Sequence, residues 1–314
     1  MSAPGWRRAY PGPGQAVLLT GGVFAVQLLC GVVIGVAMVA AAGGPANSPG
    51  GLPPIPATGI LAMNVLAFGL ALAWAARANR GENRQVWLGG RAGPGTWSAA
   101  LSAGLGTTVL VSACGVLLQR IAPMPDSWNA AFAELVDFEH RPVLTVLTVI
   151  LLPAVAEEAL FRGYILRGLL DHVRPRMAVL LSTVLFTALH LNLWQIPVGL
   201  ALGLLCGWVY LRTRSLPLCI TLHGVNNAVA VLADRLPFAV PGFNVEGGAT
   251  ELHPWWFDLL GLGLAAAGVV AVAVLTRGMG RPPPLPPETA PGVPSTATGD
   301  PSGEPATLSR TGEQ

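Results

Sequence analysis

Lysine is absent from this sequence, and charge of either sign is scarce. Its 18 basic residues are all arginine, there are 16 acids, and charged residues make up 11% of 314 positions. So little charge excludes a chain kept in solution by an ionic surface. With 52% apolar residues and a mean hydropathy of +0.58, it fits a protein whose solvent is largely lipid. The lysine-free, Ala/Gly/Pro-rich usage points to GC-rich coding, not to a mechanism. A net charge of +2 carries no nucleic-acid signature, and no nucleic acid is expected as a partner. The four cysteines, Cys30, Cys114, Cys206 and Cys219, fall inside apolar runs with no CxxC spacing. That excludes a disulfide scaffold or a thiolate zinc site and leaves small buried apolar side chains.

What the sequence has instead is long apolar runs. The first, Ala16–Ala42, is too long for the apolar region of a signal peptide and is read as a retained span. The others are Gly59–Ala76, Trp97–Leu118, Val143 onward through a glutamate pair, Met177–Leu193, Ile196–Leu211, Leu216–Ala233 and Trp255–Thr276. The pattern predicts an all-α fold, a polytopic transmembrane helix bundle of about eight helices over residues 16–276. Residues 1–15 form an N-terminal tail. Residues 277–314, rich in Pro, Ser, Thr and Gly, are expected to be disordered. Residues 122–142 are acidic, with Trp128, Phe132 and Leu135 at helical spacing, and predict a short helix on the membrane surface. No internal repeat stands out.

Arginine placement sets the expected orientation. With the N-terminus inside, the inner segments collect Arg7/Arg8, Arg77/Arg80/Arg84/Arg91, Arg167/Arg174/Arg176, Arg212/Arg214 and Arg277/Arg281. The outer loops keep Arg120, Arg141 and Arg235 and most of the loop acids. The expectation is a multi-pass membrane protein of a bacterial cell membrane with both termini cytoplasmic.

Glu157 and Glu158 are out of place in an apolar run, and charge at membrane depth marks a functional site with a partner to be named. Arg162 lies four residues after Glu158 on the same helical face, whereas Glu157 is rotated by about 100° and lacks a local counter-charge. One glutamate is thus anchored and the other available. Of the five histidines, only His190 and His223 sit within apolar runs. His140, His172 and His253 are assigned to loops and expected to be solvated. His223 and Asn227 share a face, and Asn226 points away. Glu157 and His190 are equidistant from the polar turn around residues 173–174, so an antiparallel hairpin brings them to the same depth, roughly 25 Å from the turn. For both to fit one bilayer, the glutamate-bearing helix is expected to carry Arg162 and Arg167 to or beyond the cytoplasmic interface.

A carboxylate, two imidazoles and a carboxamide in an apolar setting suit hydrolysis by an activated water. Glu157 is then the base, His190 holds the water, and His223 with Asn227 meets the oxyanion. The same Glu157, His190 and His223 are equally a catalytic zinc set, and spacing does not decide between the two. Two histidines on separate helices also suit a haem. A transporter or proton relay, or a catalytically silent immunity scaffold, would use the same buried polar cluster. No Ser or Cys stands beside a base in these segments, so no covalent acyl-enzyme is expected.

Glu157-Glu158-x-x-x-Arg162, Phe186-x-x-x-His190 and His223-x-x-x-Asn227 together resemble the signatures of the CPBP family of intramembrane proteases. That family includes the CAAX prenyl endopeptidase of the Rce1 type and bacterial Abi-type proteins. The resemblance covers about Val143–Ala233. It implies an Rce1-like core whose cavity opens to the cytosol and an endopeptidase acting on a membrane-associated protein or peptide. Its catalytic set is Glu157, Glu158, Arg162, His190, His223 and Asn227. The family has been described both as zinc-dependent and as metal-independent; Asn227, a poor zinc ligand and a good oxyanion donor, tips the expectation towards the latter.

Overall fold

The computed structural model describes residues 10–43, 55–79, 92–244 and 251–278. Among them there is no strand. The helices are α1 (Pro13–Ala41), α2 (Ala57–Ala78), α3 (Pro94–Ile121), α4 (Asp126–Leu135), α5 (Pro142–Leu170), α6 (Pro175–Leu189), α7 (Ile196–Thr213), α8 (Leu216–Leu232) and α9 (Trp255–Leu275). Seven are long and apolar enough to cross a membrane, and α6 is a shorter apolar helix. The eight apolar runs read from the sequence therefore all become helices, and the chain is an integral membrane protein. α4 has no buried residue, as its amphipathic pattern requires of a surface helix. The segment carrying Arg77, Arg80, Arg84 and Arg91 is described only at its ends, and the tail expected at 277–314 lies almost wholly outside the described residues.

Helix contact is made by small residues, because lipid is as apolar as leucine and offers no hydrophobic drive for helices to associate. Gly199, Gly203 and Gly207 form a seam on α7 that receives Thr187, Thr183 and Val179 of α6. A Cβ at these glycines would meet their side-chain atoms at 3.0, 2.7 and 2.9 Å respectively. On the other side, Cβ atoms at Gly106 and Gly268 would collide with the facing backbones of α9 and α3. Gly203→Val is expected to force α6 from α7 at a cost of about 1–3 kcal/mol. A thermal scan of the purified protein checks this. Gly263→Ala, which meets nothing within 4 Å, should hold the wild-type midpoint.

α5 is not a uniform α-helix. Val146–Leu151 and Ala159–Leu166 are π-helical, on either side of an α-helical Leu152–Glu158. Pro153 has no N–H for the carbonyl of Val149, four residues back, and its ring crowds that oxygen. Widened turns of this kind recur at functional sites. Here they bracket the glutamate pair.

α6 has 15 residues, about 22 Å, less than a bilayer core. It stops at His190, and the chain turns back through Leu191, which has a positive φ of 43°. The Asn192 side chain then accepts from the Trp194 N–H. Irregular backbone at this depth is tolerated where it borders a cavity. The turn is held by the Trp194 indole, which donates to Ala122 O at 2.7 Å, and is covered by Trp128 of α4, with ring centroids 6.1 Å apart.

The cysteines are free. Cys206 and Cys219 are buried where α7 meets α8, each thiol directed at the other's carbonyl. Cys30 is only half-buried and Cys114 is exposed on the apolar outer face of α3, so neither is the core residue expected. A small polarizable thiol is as much at home against lipid as in a core.

Candidate active site

Glu158 is fully buried, and one of its oxygens takes two donors. Arg162 Nη1 donates at 2.7 Å and His223 Nδ1 at 3.0 Å. The i,i+4 pair expected from the sequence is present. Arg162 is wholly buried, and its Nη2 donates to Gly203 O at 3.0 Å. That carbonyl is within reach because Gly203 lets α7 approach. The guanidinium also lies 4.8 Å from the centre of the Phe186 ring, a cation–π contact strengthened by the absence of water.

Phe186 is the hub of the site. Its ring meets Phe161, His190 and His223 edge-on at centroid distances of 5.3, 5.4 and 5.8 Å. The two imidazoles on α6 and α8 are thereby set against one rigid aromatic plate. Phe186 entered the sequence reading only as a motif position; its role as the shared platform needed the packing.

The histidine tautomers follow from their partners. His190 Nδ1 lies 3.1 Å from Phe186 O, and a carbonyl only accepts, so Nδ1 carries the proton and Nε2 the lone pair. His223 donates from Nδ1 to Glu158, so its Nε2 is an acceptor in the neutral ring and a donor only as imidazolium.

Asn227 Nδ2 donates to Val149 O at 2.9 Å, the carbonyl that Pro153 cannot serve. The amide is thus oriented by α5, with a second N–H to spare. Asn226 does not point away as the helical wheel suggests. It lines the same cavity, donates to Asn227 Oδ1 at 3.2 Å and accepts from Thr108 of α3 at 3.1 Å.

Glu157, His190, His223 and Asn227 border one cavity of about 550 Å³. Glu157 is 8% exposed and its Oε2 has no hydrogen-bond partner. Glu158 and Arg162 do not reach the cavity; they stand behind His223. The site thus has a free carboxylate and two imidazoles in front, and an ion pair as backing.

Residues 139–229 match the family model for type II CAAX prenyl endopeptidase Rce1-like. The segment is similar to an Rce1-like domain. The match supports a CAAX-type intramembrane protease in general, and it spans α5 to α8, the helices that hold every residue of the site. No curated protein and no solved structure matches the chain significantly. Among the described residues no three His, Cys, Asp or Glu side chains gather as a ligand set, so Glu157, His190 and His223 as folded do not fit the zinc set considered from the sequence.

The cavity is lined from α2, α3 and α4 through α5, α6, α7 and α8, with Phe243 of the α8–α9 connection. Of the remaining histidines, His140 is solvated as expected, with its side chain 76% exposed. His172 is half-buried, its Nδ1 donating to Gly168 O. His253 is a correction: it is buried, 2.8 Å from Asp258 and 3.3 Å from Ser112 Oγ, joining the α8–α9 connection to α3 and α9.

Proposed function

We propose that this protein is an intramembrane endopeptidase that hydrolyses a membrane-associated protein or peptide with a glutamate-activated water. The observation carrying this reading is the buried, unpartnered Oε2 of Glu157 at a mostly apolar cavity that His190 also lines. Glu157 accepts a proton from water as the water oxygen bonds to the scissile carbonyl carbon. His190 Nε2 accepts a hydrogen bond from the water's other O–H, which stays on the attacking oxygen, and so fixes the lone pair's direction. Negative charge passes to the carbonyl oxygen, where the spare Asn227 N–H, and His223 when it is imidazolium, meet it. The Glu157 carboxyl then gives its proton to the amine nitrogen as the C–N bond breaks. Glu158 and Arg162 position His223 and touch no reacting atom. The arginine distribution supports a cytoplasmic side for both termini.

Asn227→Ala is expected to lower kcat by about 10²-fold or more, with a smaller change in KM, because the lost N–H acts on the transition state. Steady-state cleavage of a membrane-anchored fluorogenic peptide checks it. Chelator treatment should leave the same rate unchanged. A rate abolished by chelator and restored by zinc would overturn the metal-free mechanism. Coupled ion flux through proteoliposomes, lost in Glu157→Gln while no peptide is cleaved by wild type, would favour a proton relay instead.

A further inference from the structure

A carboxamide can sit in two orientations that exchange its nitrogen and oxygen, and only one of them leaves Asn227 with an N–H to spare for the cavity. The surroundings select it. Asn227 meets Val149 O at 2.9 Å, and a carbonyl only accepts, so the nitrogen faces α5 and Oδ1 faces Asn226. The Asn226 carboxamide lies 3.2 Å from that oxygen. An oxygen there would set two acceptors against each other, so Asn226 turns its nitrogen to Asn227 and its Oδ1 to α3. Thr108 Oγ1 stands 3.1 Å from this Oδ1 and 3.1 Å from Gly104 O. Both are acceptors, so the hydroxyl donates. Gly104 O belongs to the backbone ladder of α3, whereas Asn226 Oδ1 depends on Thr108. Each link is fixed by the one before it.

The result is a one-way chain of donors, from Thr108 to Asn226 to Asn227 to Val149 O, that crosses from α3 through α8 to α5. All three side chains border the cavity. Reversing Asn227 would put Oδ1 against Val149 O and break the link to Asn226, so the chain resists a flip from both ends. It also polarises. An amide whose oxygen accepts a hydrogen bond is a stronger donor at nitrogen, and in a low-dielectric setting that effect passes from one link to the next.

We propose that Thr108 and Asn226 are positioning residues that hold the Asn227 carboxamide in its donating orientation and strengthen its spare N–H. Neither touches a reacting atom. Thr108 lies outside residues 139–229, so α3 is a working part of the site and not only a neighbour of it. Their bearing on rate rests on the hydrolytic reading above; the orientation of Asn227 does not.

Three variants test this. Thr108→Val removes the donor at constant volume, Thr108→Ser keeps it, and Asn226→Leu removes both links at similar size. With the membrane-anchored fluorogenic peptide, Thr108→Val and Asn226→Leu should lower kcat by about 10-fold or more and leave KM within about twofold. Thr108→Ser should restore kcat to within about twofold of wild type. On an Asn227→Ala background neither substitution should slow the enzyme further, because both act through the missing amide. Losses that add to that of Asn227→Ala, or an unchanged kcat in Thr108→Val, overturn the proposal. A second readout needs no turnover. In ¹⁵N-asparagine-labelled protein in nanodiscs, the side-chain amide signal of Asn227, identified by its loss in Asn227→Ala, should shift in Thr108→Val and return in Thr108→Ser. A signal that does not move overturns the proposal. A wild type that cleaves nothing while the signal moves counts against the hydrolytic reading and leaves the positioning of Asn227 standing.

Discussion

Glu157→Gln should remove peptide hydrolysis while leaving the fold in place. The carboxamide fills the same volume but cannot take a proton from water, and loss of a general base of this kind costs about 10²–10⁴-fold in rate. The folded state gives up little, since Glu157 Oε2 has no hydrogen-bond partner to lose. The expected result is a fall in kcat to the assay floor, with a thermal midpoint at or slightly above wild type. Residual cleavage within about tenfold of wild type would dismiss Glu157 as the base. His190→Ala should be nearly as severe, whereas a residue that only packs on Phe186 would change the midpoint more than the rate.

Arg162→Ala carries the largest expected effect on stability. The guanidinium is fully buried and joins Glu158, the Gly203 carbonyl and the Phe186 face. Removing it strands the Glu158 carboxylate between helices with only His223 as a donor. Breaking one side of a buried pair costs about 3–5 kcal/mol, because the remaining charge stays desolvated. The double variant Glu158→Gln/Arg162→Met should recover most of that loss, since it removes the stranded charge and keeps an acceptor for His223 Nδ1. Thermal or denaturant unfolding of the purified single and double variants, compared with wild type, checks this. A double variant as unstable as the single would mean that Arg162 acts through packing volume and not through charge.

Spacing alone made several relations legible. Glu158 and Arg162 are one helical turn apart, and that local rule survives the π-helical turns around them. The symmetric placement of Glu157 and His190 about the 171–174 turn indicated a shared depth, and both residues border one cavity. Other relations had no signal in one dimension. The partner of Arg162 is a backbone carbonyl on α7, and any residue can offer one. Val149 O is singled out by Pro153, a clue present in the sequence, but that Asn227 answers it depends on how α8 crosses α5. The wheel that turned Asn226 away from the site took α8 alone and ignored Thr108 on α3. His253 looked like a loop histidine, and only the return of the α8–α9 connection onto α3 buries it.

By itself, the sequence determined that this is an all-helical membrane protein. It also determined which segments become its spans, which glutamate has a local partner, and that the two ends of the bundle differ in charge. Those follow from hydropathy, period and counting, which act within one segment at a time. Only the tertiary structure decided that His223 leans on Glu158, that Phe186 carries both imidazoles, that Arg162 is sealed inside, and that Glu157 and both imidazoles line one cavity. Each of these depends on how closely helices approach across a seam of glycines. That distance is set by the packing of several segments at once, and no single segment encodes it.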